Sequence, residues 1–378
     1  MFLFLSIPLL GYLSASIRVR MVNSLIPSFI ATGIGSLPHT DPVEAVQTVK
    51  RFFPEMPHWP QLPSDNSAEG LIGQYIAPLV RLGLVDKESG SSPFFVRQAD
   101  WLDRLTEFYD LYLRISEGDS EALSFFGFPP EYAKGFWVFV DELSNGGFRN
   151  AKFIKGQVTG PITLGLQLTD QNKRSSYYDE ELRDIVVKTI ALQAGWQVKT
   201  LCRFGIPIVI FIDEPGLYAY GQSTHITLNK QEIIDELNII VDMIHSAGGT
   251  AGIHVCASTD WGMLLESRID ILNFDAFEYF STLSLYPEQI QSFLQRKGIL
   301  AWGIVPTSEK VIAYSSDQLA QMLNGHIDTL VGKGIDRNAL LTQIMITPSC
   351  GVGTLKVDTA KKVYSLTQEL SDKYQQAF

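Results

Sequence analysis

Short apolar runs alternate with longer amphipathic ones along this chain. That pattern predicts an α/β protein, specifically a (β/α)8 TIM barrel with a helical insertion after the second strand. Three observations carry the prediction. Eight runs have the length and apolarity of buried strands. Most are followed by a segment with helical periodicity. Polar or metal-binding side chains (Ser36, Gln61, Asp213, His254, Cys256, Asp275 and Cys350) close six of the strands, the end at which a barrel presents its functional groups.

The predicted strands are 29–36, 57–61, 152–158, 207–213, 250–255, 271–275, 299–305 and 341–347. The predicted helices are 42–53, 179–203, 230–247, 287–296, 316–333 and 358–374. From 77 to 150 the helical patterns 99–115 and 130–143 follow one another with no clear strand between them, which reads as an excursion after the second strand and a candidate lid. No repeat, low-complexity stretch or linker interrupts the pattern, so residues 25–378 read as one domain. Residues 1–24 read as an N-terminal extension. Their apolar start resembles the core of a signal peptide, but no basic segment precedes it, and Arg18 and Arg20 follow it. It is also short for a membrane span. The reading is a misassigned start, with translation beginning at Met21.

A net charge of −11 with no visible basic patch argues against nucleic acid as a partner. Three cysteines are too few for a disulfide framework, so a reducing cytoplasm is expected. Two of them, with one histidine, form the most informative pattern in the chain. His254 and Cys256 lie two apart on a predicted strand and point to one face. Cys350 ends a distant strand before Gly351. Imidazole and two thiolates form a zinc ligand set that one carboxylate would complete. Asp275 ends its own strand and is favoured for that role, with Glu278 as the competitor. Asp213, at the end of an apolar strand and before Glu214-Pro215-Gly216, is placed to bind an ammonium group. Gly33-Ile34-Gly35-Ser36 matches no nucleotide fingerprint, and the segment from Lys155 to Pro161 lacks phosphate-loop spacing. Cys202 lies on a helical pattern and reads as packing, while His39 reads equally as a proton carrier or a surface residue.

Taken together these motifs resemble the C-terminal catalytic barrel of the cobalamin-independent methionine synthase family, from about Thr32 to the C-terminus. The resembling segments are Ile34-Gly35-Ser36 with Pro38, Lys155-Gly156 with Thr159-Gly160-Pro161, Asp213-Glu214-Pro215, and His254-x-Cys256 with Cys350-Gly351. The resemblance implies that Ile34, Gly35 and Ser36 hold homocysteine and that Asp213 binds its amino group. It implies zinc held by His254, Cys256, Cys350 and, where the family has Glu, Asp275. The departures are as informative. The family's N-terminal barrel is absent, its pterin-stacking Trp is Gln167, its folate-contacting Glu is Ala219, and its histidine on the seventh strand is missing from Trp302-Gly303-Ile304-Val305-Pro306.

The resulting expectation is a zinc-dependent S-methyltransferase making methionine from homocysteine. Its donor would be methylcobalamin or a methylated corrinoid protein rather than methyltetrahydrofolate. The alternatives are a methylcobamide:thiol methyltransferase with another small thiol acceptor, and a non-catalytic zinc- or corrinoid-binding protein. No membrane partner is expected.

Overall fold

A computed structural model describes residues 28–65, 67–87, 92–222 and 228–377. The N-terminal extension, 1–24, lies outside the described residues. The fold is α/β, built on a curled parallel sheet of seven strands. In chain order these are β1 (Ser28–Ala31), β2 (Ile154–Thr159), β3 (Ile208–Asp213), β4 (Thr250–Val255), β5 (Ile271–Phe274), β6 (Ile299–Val305) and β7 (Ile344–Pro348). In space they run β1-β7-β6-β5-β4-β3-β2, every neighbouring pair parallel. Strands β2 to β7 are buried along their whole length. That explains the near-continuous apolar content of β3, β6 and β7, since helices cover what an open sheet would leave to water.

The helices that cover the sheet begin where the local chemistry dictates. Helix α1 (Pro42–Phe52) has Asp41 as its cap, which accepts the Val43 N–H at 2.8 Å. The long helix α2 (Glu180–Leu201) is capped by Asp179, α3 (Lys230–Ser246) by Asn229, and α5 (Ser316–Gly332) by a Ser315–Gln318 capping box. Between them, α4 (Ala276–Leu283) is capped by Asp275. The last helix, α6 (Val357–Gln375), packs on β1 and β7.

Strands β4 and β6 match their predicted bounds; the differences elsewhere have local causes. Predicted strand 29–36 stops at Ala31; the Thr32 N–H still donates to the Ile346 carbonyl at 3.2 Å, and Gly33 then passes close to its neighbours. A Cβ there would lie 2.3 Å from His58 Nε2. Predicted strand 341–347 starts later, at Ile344, because Asp336 caps a helix (Arg337–Thr342) that takes up Leu340 and Leu341. Predicted strand 57–61 forms only isolated parallel bridges, His58 with Lys155 and Ser36 with Gln61.

The segment from 77 to 150 is mainly helical, as expected, with helices at Trp101–Ser116 and Lys134–Ser144. It also supplies two two-residue strands, Val85–Asp86 and Phe94–Phe95, to a small sheet completed by Thr169–Asp170. Its Phe128 and Phe136 rings pack against Trp59 and against Trp196 of α2, in a core that continues into the main sheet. It is anchored as a packed layer of the molecule.

Candidate metal centre at the strand ends

Parallel register sets the site. Thr159, Asp213, His254, Asn273 and Ala301 are successive Cα partners across β2, β3, β4, β5 and β6. Register partners in a parallel sheet share a face. Four polar side chains therefore stand side by side near the carboxyl ends of buried strands. All four are buried. Thr159 Oγ1, Asp213 Oδ1 and His254 Nε2 have no hydrogen-bond partner. An orphaned buried polar atom costs about 1–3 kcal/mol, and three in one row call for a partner that the protein itself does not supply.

Cys256 follows β4 by one residue and Cys350 follows β7 by two. The structure brings His254, Cys256 and Cys350 together, with one ligand atom from each within 4.8 Å of the others. The turn that carries Cys350 is tied to the start of the sheet. Ser36 accepts the Val352 N–H at its carbonyl (3.1 Å) and the Gly353 N–H at Oγ (3.3 Å). Glycine suits position 351, because a Cβ there would lie 2.2 Å from Ser36 Oγ and displace that side chain.

The protons of the cluster are shared. Burial disfavours a charged His254, but the neighbouring Cys350 outweighs it and leaves the imidazole pKa above its ordinary value. The hydrogen bond between the two thiols pulls Cys256 down, and it combines with burial to push Cys350 up. Burial lifts Asp213 to about 6, against the pull of Lys155 and His254. Lys155 is itself lowered to about 8 by burial. Its ammonium donates to the Ile34 carbonyl and lies 4.6 Å from the Phe211 ring centroid.

Several sequence expectations are redirected. Asp275 is not part of the 4.8 Å group. Its Oδ1 accepts the Glu278 N–H at 2.9 Å as the cap of α4, because the chain turns into a helix immediately after β5. Burial raises it to about 6, and it interacts electrostatically with His254 and Cys256 from beside the cluster. Glu278 points away, paired with Lys310 at 2.7 Å. Ile34 and Gly35 contribute carbonyls, accepting from Lys155 Nζ and the Gln61 N–H, while Ser36 braces the Cys350 turn. His39 is buried and sits 3.2 Å from Thr48 Oγ1. Cys202 is exposed rather than packed. Glu214, beside Asp213, caps the short helix Pro161–Gln167, accepting the Ile162 and Thr163 N–H groups at 2.9 and 2.8 Å.

The sequence reading missed Asn273. Its Oδ1 faces His254 Nδ1 at 2.5 Å, while its Nδ2 donates to the Ala301 carbonyl at 2.9 Å and to Thr347 Oγ1 at 2.7 Å. A signal was present: asparagine inside the buried apolar run of β5 is costly unless all its bonds are made.

No family model matches this chain, and no curated protein matches it. Among solved structures it is similar to the tandem GH20 catalytic modules of the pneumococcal exo-β-D-N-acetylglucosaminidase StrH. The identity is 8% and the TM-score 0.43, over 91% of this chain and 84% of that one. These comparisons correct the expected activity. The match is to a hydrolase rather than a methyltransferase. The expectation of a methionine-forming methyltransferase, with its thiol-methyltransferase alternative and the attributes of methionine biosynthesis and cobalamin, is corrected on that finding and not carried further. A likeness this distant lends no activity of its own to the chain. Among the described residues no helix is long and apolar enough to cross a membrane.

Proposed function

We propose that this protein is a mononuclear zinc protein. His254, Cys256 and Cys350 would hold the metal, leaving a position for the sulfur of a small thiol-bearing amino acid such as homocysteine. The observation that carries this reading is the buried His254 grouped with two thiols, its Nδ1 already engaged by Asn273. The donor set suits zinc, and three protein ligands are what an open site has. The ligand order also agrees with the family resemblance in the sequence.

When bound, zinc would supply a Lewis acid that keeps a thiol deprotonated near neutral pH. The chain's own groups would do the rest. Asp213 Oδ1, orphaned one strand away from His254, would accept an ammonium N–H. Lys155, buried on the other side, keeps part of that carboxylate's charge in place. Asp275 would add negative charge beside the metal.

The same proposal includes the finer architecture. The bridges at His58 and Gln61 favour segment 57–61 as an eighth strand between β1 and β2, which would close the sheet into a (β/α)8 barrel. One apolar core containing residues from Phe29 to Tyr374 favours a single domain. Thiol ligands must stay reduced, which favours the cytoplasm.

The test is metal analysis of the purified protein, followed by calorimetry with homocysteine on zinc-loaded and metal-free samples. One zinc per chain and binding only to the loaded form are expected. A thiol acid without the amino group should bind about ten- to a hundredfold more weakly, the worth of a buried charge-assisted bond. A protein that takes up no zinc at micromolar free metal overturns the proposal.

A further inference from the structure

The clearest buried polar arrangement outside the ligands is the three-way bonding of Asn273. Its amide group could in principle face either way. Here one neighbour settles the direction, because the Ala301 carbonyl accepts and never donates, so the NH2 must face it. Thr347 Oγ1 lies on the same side of the amide, at 2.7 Å. The amide oxygen is thereby turned to His254 Nδ1. An oxygen acceptor at that atom requires Nδ1 to carry the proton, and Nε2 is then the lone-pair nitrogen. Nε2 is the ring nitrogen that Asn273 leaves free for the group His254 forms with the two cysteines.

We infer that Asn273 is the positioning residue of the metal centre: it fixes His254 in the Nδ1–H tautomer and joins the strands that carry the ligands. The second part follows from topology. Asn273 sits on β5, bonds to β4 through His254, to β6 through Ala301 and to β7 through Thr347. His254 belongs to one of the outer two of those strands and Cys350 follows the other by two residues, and these strands are not neighbours in the sheet. One amide therefore spans the separation between the imidazole and the second thiol. Groups bonded to a ligating histidine's other nitrogen typically change metal affinity by about 10- to 100-fold. The inference rests on the zinc reading above and assigns a role that the ligand set alone does not contain.

Three measurements test it. Histidine-selective nitrogen NMR on the metal-free protein, above the pH at which the ring is charged, reads the tautomer without any metal. The His254 signal, identified by its loss in His254→Ala, should show a protonated Nδ1. A protonated Nε2 overturns the inference whether or not zinc binds. Competition with a zinc chelator then compares wild type with Asn273→Leu, which keeps the volume and removes all three bonds. A loss of 10- to 100-fold in affinity is expected, with the tautomer no longer fixed. Unchanged affinity in a folded Asn273→Leu overturns the inference and leaves the zinc reading standing. No zinc uptake by wild type overturns both. Should Asn273→Leu fail to fold, Thr347→Val serves instead. It frees one amide hydrogen bond and leaves Asn273 in place, so affinity should fall several-fold and the tautomer signal should broaden or split. Wild-type behaviour in that variant counts against the positioning role.

Discussion

Two groups of buried polar side chains lie on this sheet and the layer beside it, and they are built on opposite terms. On one side are Trp59, Gln61, Gln74, Gln157 and Gln197. Trp59 Nε1 donates to Gln197 Oε1, Gln197 Nε2 to the Gln157 carbonyl, Gln157 Nε2 to the Trp59 carbonyl, and Gln61 Nε2 to Gln74 Oε1. Every member has a partner within the protein. On the other side Thr159, Asp213 and His254 leave one atom each unpaired. A satisfied network fixes a fold; an unsatisfied one costs stability and is kept where something else completes it. The same contrast separates two neighbours in sequence. Glu214 is bonded by two backbone N–H groups and the Thr163 hydroxyl, whereas Asp213 has an oxygen with none.

The comparison can be broken most directly at the metal ligands. Cys256→Ser should reduce zinc affinity by more than a hundredfold, roughly 3 kcal/mol or more. A full ligand set in zinc-finger peptides is worth about 10–16 kcal/mol. Equilibrium dialysis against a chelator reads it, and unaltered affinity would remove Cys256 from the site.

Glu214→Gln is the next largest effect and acts on stability. Its amide cannot accept all three donors, so a loss of about 2 kcal/mol is expected in urea unfolding near pH 4.5, before ionisation of the buried Glu214 begins to lower wild-type stability. The pH dependence has a definite sign. Burial raises the folded Glu214 pKa to about 7, above its value in the unfolded chain. Between about 4.5 and 7 the native state holds the extra proton, so its contribution to stability falls as pH rises through that window. Glu236, Asp213 and Asp275 are raised by burial in the same way. Wild-type stability should decline over that range, and Glu214→Gln should decline less. A pH-independent wild type would contradict these assignments.

Asp213→Asn sharpens the contrast because its sign is opposite. Removing a buried charge with an unpaired oxygen should stabilise the metal-free protein by about 1 kcal/mol at pH 8, while weakening any amino-thiol ligand. A destabilised Asp213→Asn would mean that Asp213 is held as firmly as Glu214. Smallest of all, Cys202→Ser should change neither zinc content nor stability beyond about 0.5 kcal/mol, as for ordinary surface substitutions. Cys202 is exposed, and its thiol reaches only the Lys199 carbonyl.

The sequence was informative where one signal dominated. Strands such as 250–255 and 299–305 are buried on both faces, so their apolar runs have sharp ends. The approach of Cys350 to His254 and Cys256 was legible from residue type and strand-end position. Competing signals hid the rest. The apolar Leu340 and Leu341 looked like strand until the Asp336 cap claimed them. Asp275 looked like a ligand because a helix cap and a metal ligand use the same side chain at the same kind of strand end. Asn273 carried only the faint signal of a polar residue in an apolar run, because its partners lie 19, 28 and 74 residues away.

The bond between Ser36 and the turn after Cys350 has a consequence in folding time. It joins residues 317 positions apart, one of the longest loops the chain closes. Closing such a loop comes late, because its entropy is spent before any local contact rewards it. The thiol of Cys350 reaches His254 and Cys256 only once that turn is seated. On the zinc reading, metal capture would become a clock for completion: a chain with every helix formed, but with its first and last strands still apart, would hold zinc no better than a peptide carrying His254 and Cys256 alone.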